Sequence, residues 1–316
     1  KAIIDELISK VNNLPVVGSF EAFSDLMKNS RENNFGLYYM SDVIFRSAIN
    51  ENSDFVSSEL ASVESSNKSS KVSEQTDYST TNIQVQGVDE SDVVKTDGQY
   101  IYQVNNDRII VAKAYPANEM NIMSTINFSE DDFSPMEIYL YDDLLVVMGS
   151  CNKEIDLAKV KGTATESKVY IKPDYFDLES VKAIVCDISD KTNIKKIREV
   201  EIEGTYVSSR MIGSVLYMIS NNYNRKHYYY YTDTDYDLDT DKLTPFYRDS
   251  KVSEEYVKIG FPEIRYFPDS FESNYMLVAA FDIKGNEKAN VQTYLGSGEN
   301  IYVSNENLYV AVTNYK

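Results

Sequence analysis

Five aspartates recur at every second position, Asp233, Asp235, Asp237, Asp239 and Asp241, just after a run of four tyrosines, Tyr228, Tyr229, Tyr230 and Tyr231. Calcium takes several carboxylate oxygens from a short turning segment, so this spacing offers ligands for a Ca²⁺ ion. The helix–loop–helix calcium pattern also needs Gly at loop position six and Glu at position twelve. Counted from Asp233, those places hold Leu238 and Thr244, and starts at Asp235 or Asp237 also miss the glycine. The stretch therefore reads as a solvated acidic insertion, with a weak Ca²⁺ site of another geometry as the alternative. The four tyrosines offer apolar faces and hydroxyls, the chemistry of a glycan- or protein-binding surface. Strand filling is the competing explanation for a Tyr-rich chain.

A second acidic run, Asp89-Glu90-Ser91-Asp92 with Asp97, could supply paired carboxylates for glycoside hydrolysis. Turn and strand-entry chemistry is the reading preferred: Asp97-Gly98 reads as a tight hairpin turn, and carboxylates are common in turns. His227 is the single histidine. No G-x-S-x-G elbow precedes it and no His or Cys neighbours it, so neither a Ser-His-Asp triad nor a zinc site is supported. Gly296-Ser297-Gly298 lacks the Lys-Ser or Lys-Thr of a phosphate loop and reads as a connecting turn. The two cysteines, Cys151 and Cys186, are too few for a disulfide scaffold or a Cys-rich metal site.

The elements that must position these residues follow from periodicity. Residues 1–50 read as helical: Ile3, Ile4, Leu7, Ile8 and Val11 share one face, Leu14-Pro15 breaks that helix, and Ser19 caps another carrying Ala22, Phe23, Leu26 and Met27. Residues 51–77 form a Ser/Asn-rich linker without a period. From residue 78 to 316 the pattern becomes strand–turn–strand. A polar turn followed by an alternating apolar strand occurs at Thr96–Val104, Tyr141–Met148, Ile212–Ile219 and Ser304–Val312. The first three are followed by a second apolar strand, at Arg108–Tyr115, Val181–Ile188 and Tyr275–Ile283. The first two copies start about 45 residues apart, the length of a four-stranded propeller blade. Insertions at 151–179 and 222–273 lengthen the later spacings. The expected fold is mainly β: an incomplete β-propeller of about three to four four-stranded antiparallel blades, preceded by a small helical segment. Were the paired strands of the second blade antiparallel, Cys186 would fall opposite the start of the first strand, far from Cys151, leaving both thiols free.

The run Asn82-Ile83-Gln84-Val85-Gln86-Gly87-Val88-Asp89-Glu90-Ser91-Asp92-Val93-Val94-Lys95-Thr96-Asp97-Gly98 closely resembles the opening of a family of secreted bacterial and archaeal β-propeller domain proteins. Leu14–Ser19, Pro245–Ser250 and Leu295–Gly298 resemble the same family. The resemblance implies export and a propeller longer than this chain, whose remaining blades lie outside it. It supplies no catalytic residues.

Composition narrows the function classes. The formal charge of −19 argues against nucleic acid and against anionic membrane surfaces. No apolar run is long enough to span a bilayer. The chain starts at Lys1 without a signal-peptide pattern, which reads as a mature or excised segment. The expectation is a non-enzymatic extracellular or cell-surface binding or scaffold protein, without a cofactor apart from the weak Ca²⁺ alternative. The other function considered is an extracellular polysaccharide hydrolase or lyase using blade-end carboxylates.

Overall fold

The computed structural model describes residues 14–27, 87–129, 132–156, 175–223, 244–267, 274–296, 298, 300–304 and 307–311. The first blade is an antiparallel meander of β2 (Val94–Thr96), β3 (Tyr100–Asn105), β4 (Arg108–Lys113) and β5 (Asn121–Asn127), preceded by the short strand β1 (Val88–Asp89). The second blade contains β6 (Phe133–Tyr141), β7 (Leu144–Asp156), β8 (Tyr175–Asp187) and β9 (Lys195–Glu203) in the same order. The third is built on β10 (Thr205–Ile212), β11 (Val215–Asn222), β15 (Tyr275–Asp282) and β16 (Asn290–Leu295). Strands β17 (Asn300–Val303) and β18 (Leu308–Ala311) pair as the start of a fourth. The recurring strand pairs read from the sequence are β3–β4, β7–β8 and β11–β15, each antiparallel.

The middle strands of the second and third blades are near-continuous apolar runs because both of their faces are covered. Leu145, Val146, Val147 and Met148 of β7 are each 1% exposed or less. One face of this blade, with Leu145, Val147, Ile184 and Cys186, packs on Tyr102, Ile109 and Val111 of the first. The other, with Val146, Met148, Val181 and Val185, packs on Leu216, Met218, Leu277 and Phe281 of the third.

The second and third blades are wider than the plain four-stranded unit, in part because the insertion at 222–273 is partly strand. Its hairpin, β12 (Phe246–Asp249) and β13 (Ser253–Lys258), extends the outer edge of β9. Its strand β14 (Ile264–Tyr266) joins the outer edge of β16 as a parallel pair, the exception to the antiparallel pattern. The insertion at 151–179 likewise lengthens a ribbon, with Cys151–Asp156 pairing against Tyr175–Ser180. At the N-terminal end, Ser19 Oγ accepts from the Ala22 amide and caps a helix over 20–27. Phe23 of that helix packs on Phe261 and Tyr275, while Val16 bridges to Arg265 and covers the free side of β14. The helices expected nearer the start, the linker at 51–77, His227, Tyr228–Tyr231 and Asp233–Asp241 lie outside the described residues.

Cys186 pairs opposite Leu145 and Cys151 opposite Ser180, so the thiols sit six pairs apart along one ladder and both are free. Cys151, the first residue of the insertion expected at 151–179, is a buried strand residue.

Candidate functional site

The innermost strands of the three blades meet around the segment that opens the first. After Gly87, whose φ of 90° is glycine's territory, Val88 and Asp89 pair with Ile212 and Met211 of β10. The backbone then crosses to the second blade, where Asp92 and Ile138 exchange hydrogen bonds of 3.2 and 2.8 Å. It next becomes β2 of the first blade. One short leader thus edges the third blade, bridges the second and begins the first.

Its side chains form a polar knot. Lys95 is buried; its ammonium donates to Asp89 Oδ1 at 2.9 Å and to the Glu90 carbonyl at 2.6 Å, and lies 5.9 Å from the Tyr139 ring centroid. These contacts replace the hydration that burial removes. Glu90 faces Arg210 of β10 at 3.5 Å. Ser91 Oγ donates to Glu137 Oε2 at 2.5 Å, and the Tyr206 hydroxyl donates to the same oxygen at 2.9 Å. Ser209 continues the chain, 2.8 Å from both the Tyr206 and Tyr139 hydroxyls. Burial pushes the Tyr206 phenol up to about 12, and holds Tyr139 above the usual phenol range. Both are neutral hydrogen-bonding groups at physiological pH. Glu137 takes the Ser91 and Tyr206 hydrogen bonds on one oxygen, Oε2.

The carboxylates along 89–97, which could have paired for hydrolysis, are dispersed. Asp89 serves Lys95 and Glu90 faces Arg210, while Asp92 accepts from the Val93 amide. Asp97 caps the β2–β3 turn, accepting from the Gln99 and Tyr100 amides and the Tyr102 hydroxyl. Sequence reading missed Glu137, Tyr206, Ser209 and Arg210, because the inner strands β6 and β10 carry mixed polar residues and bulges that blur a period of two. Their one signal is position, immediately before each recognised turn-and-strand unit.

Two further polar clusters sit off the axis. On the second blade, Glu201 is 1% exposed and lies 3.1 Å from Lys153, 3.6 Å from Lys182 and 3.5 Å from Arg248. Burial raises its pKa, but Lys153 and Lys182 prevail and hold the carboxyl below its ordinary value. Between the second and third blades, Arg198 is 2% exposed and forms a bidentate pair with Asp249, at 3.1 and 2.7 Å. It also donates to the carbonyls of Asp282, Gly285 and Glu287 and stacks on Phe281. No group of three or more His, Cys, Asp or Glu side chains suited to a metal occurs among the described residues. No helix among them is long and apolar enough to cross a membrane.

A family model described as a beta propeller domain matches residues 78–316. The chain belongs to the beta propeller domain family. It is similar to an uncharacterized protein of Archaeoglobus fulgidus, 23% identical over 256 residues that cover 75% of this chain and 32% of that protein. It is also similar to the uncharacterized protein MJ1554 of Methanocaldococcus jannaschii, 26% identical over 309 residues, 91% of this chain and 41% of that one. The chain thus spans well under half the length of these curated relatives. No solved structure matches it.

Each of the stretches carrying the family resemblance has a structural job. Of the 82–98 run, residues 87–98 supply the axial leader and the first hairpin turn. Leu14–Ser19 edges β14, through the Val17 amide to the Ile264 carbonyl at 2.8 Å and the Tyr266 amide to the Pro15 carbonyl at 3.0 Å. Pro245–Ser250 delivers Asp249 to Arg198. Leu295–Gly298 is held by buried Asn221, whose amide group bonds both the carbonyl and the amide of Gly298.

Proposed function

We propose that this chain is a non-enzymatic binding or scaffold module working outside the cell or at its surface, with a glycan or protein as ligand. The observation that supports this reading is what the axial carboxylates do. Asp89, Glu90 and Glu137 each hold a partner on another strand, and those contacts tie the leader to the blades or one blade to the next. Groups used in this way keep blades in register. A glycosidase instead needs two carboxyl groups facing one substrate at a separation set by its mechanism. Propellers host both binding proteins and enzymes, so the site and not the fold must decide. The charge of −19 favours a neutral or basic partner.

The second reading is a polysaccharide hydrolase or lyase, with Glu137 of the polar knot as the carboxylate to test. One experiment separates the two. Purified chain is incubated with insoluble cell-wall glycan, and co-sedimentation and release of reducing ends are followed for wild type and Glu137→Gln. The scaffold reading expects no reducing ends from either, and a lower melting temperature for the variant. Wild-type cleavage that Glu137→Gln abolishes would replace it with the hydrolase. Sedimentation with the glycan assigns a glycan ligand.

A further inference from the structure

We infer that Asn127 is an acceptor for N-linked glycosylation, and that its oligosaccharide shields the free outer edge of the first blade. The inference rests on the extracellular reading above. The chain contains two Asn-x-Ser/Thr triplets, Asn67-Lys68-Ser69 and Asn127-Phe128-Ser129. A transferase reads such a triplet when the middle residue is not Pro and the site lies at the surface of an exported protein. The second triplet is among the described residues. Asn127 ends β5 and is exposed, Ser129 is exposed two positions on, and Phe128 between them is buried. The Phe128 ring meets Phe133 edge-on with 4.9 Å between centroids, and the Lys196 ammonium lies 4.8 Å from it. The Phe128 amide donates to the Asp107 carbonyl at 2.8 Å. The middle residue thus anchors the triplet while the residues bearing the acceptor amide and the hydroxyl stay at the surface. In the transfer, Asn127 Nδ2 bonds to the anomeric carbon of a lipid-phosphate-linked oligosaccharide. The bond from that carbon to the phosphate oxygen breaks, the lipid phosphate leaves with the electron pair, and the amide gives up one proton.

The outer edges of the blades supply a second, independent observation. A free strand edge invites pairing with another chain, and natural proteins cover it or charge it. Strand β9 is covered by the hairpin β12–β13, whose outer strand carries the exposed Glu254 and Glu255. Strand β16 is covered by β14. Strand β5, last in the order β2-β3-β4-β5, has no outer partner among the described residues. From Met120 to Ser129 there is no charged residue, in a chain that is 26% charged. Met120 and Ile122 are each 64% exposed. Uncharged, β-prone segments of this kind are the ones that aggregate through their edges. An oligosaccharide on Asn127 is bulky and hydrophilic, and it stands where charge is missing.

The 316-residue chain is produced behind an engineered export leader in eukaryotic cells that N-glycosylate, alongside Asn127→Gln, Ser129→Ala and Asn67→Gln. Intact mass and glycopeptide mapping locate the sugar. The expected result is an oligosaccharide on the Asn127 peptide of the wild type, lost completely in Asn127→Gln and in Ser129→Ala and retained in Asn67→Gln. Exported wild type that is bare at Asn127, or modified at Asn67 alone, would overturn the inference. The leader imposes export, so this result is independent of where the native protein resides. Fractionation of the source cells reads that location, and native protein confined to the cytosol would overturn the extracellular reading while the leader experiment still decides the acceptor. Light scattering tests the shield: Asn127→Gln is expected to aggregate at least about twofold faster than the glycosylated wild type. Equal rates would overturn the shielding role.

Discussion

Arg198 shows how a single residue can join two blades. Its five donors are directed at Asp249 and at three carbonyls of the third blade, so the charge is both paired and fully hydrogen-bonded. Asp249→Ala leaves that guanidinium buried without its counter-charge, and chemical denaturation is expected to show a loss of about 3–5 kcal/mol. Asp249 also receives the Ala289 amide, which adds to the loss. A change below about 1 kcal/mol would show that the pair is open to water. The cysteines give a second residue-scale prediction. Burial pushes the Cys186 thiol from 9.0 up to about 12, and burial also raises Cys151. The native protein therefore shows no titratable thiol at pH 8 and the unfolded protein shows two. The unfolded state loses its Cys186 proton first, so this contribution to stability is complete below pH 9 and declines as pH rises from there toward about 12. Melting temperatures across pH 8–11 check the sign; a rise over that range would contradict it.

At the scale of elements, the turn-and-strand units were legible because a polar turn followed by alternating apolar residues is a strong local signal. Their pairing is as read, down to Cys186 lying opposite the start of β7. The inner strands were not legible, since Glu137, Ser209 and Arg210 interrupt the alternation for the sake of contacts with a segment distant in sequence. Nor were the edge strands β12 and β14, whose partners are chosen by tertiary position rather than by local propensity. Gly298 shows why a turn that looks generic has a specific residue. A Cβ there would lie 2.5 Å from Val310 Cγ1 and 2.9 Å from Met276 Sδ, where β18 meets the third blade. Gly298→Ala should cost about 1–3 kcal/mol by overpacking. Hydrogen exchange should show the loss concentrated in β17 and β18; protection unchanged there would mean the contact is slack.

For the whole molecule, stability rests on joints between sheets as much as on the sheets themselves. Three blades share the axial leader, two are locked by Arg198, and the outer edges of the second and third are covered by strands of the insertion. The account's central claim is that the axial carboxylates act as joints of a scaffold. The most direct test is a double-mutant cycle between Ser91 in the leader and Glu137 in the second blade, using Ser91→Ala, Glu137→Gln and the pair, with unfolding free energies from denaturant titration. The account predicts a coupling of about 0.5–3 kcal/mol, the range for residues sharing one hydrogen-bond network. Effects that simply add, within about 0.5 kcal/mol, would show that the leader and the blade are energetically independent and would contradict it.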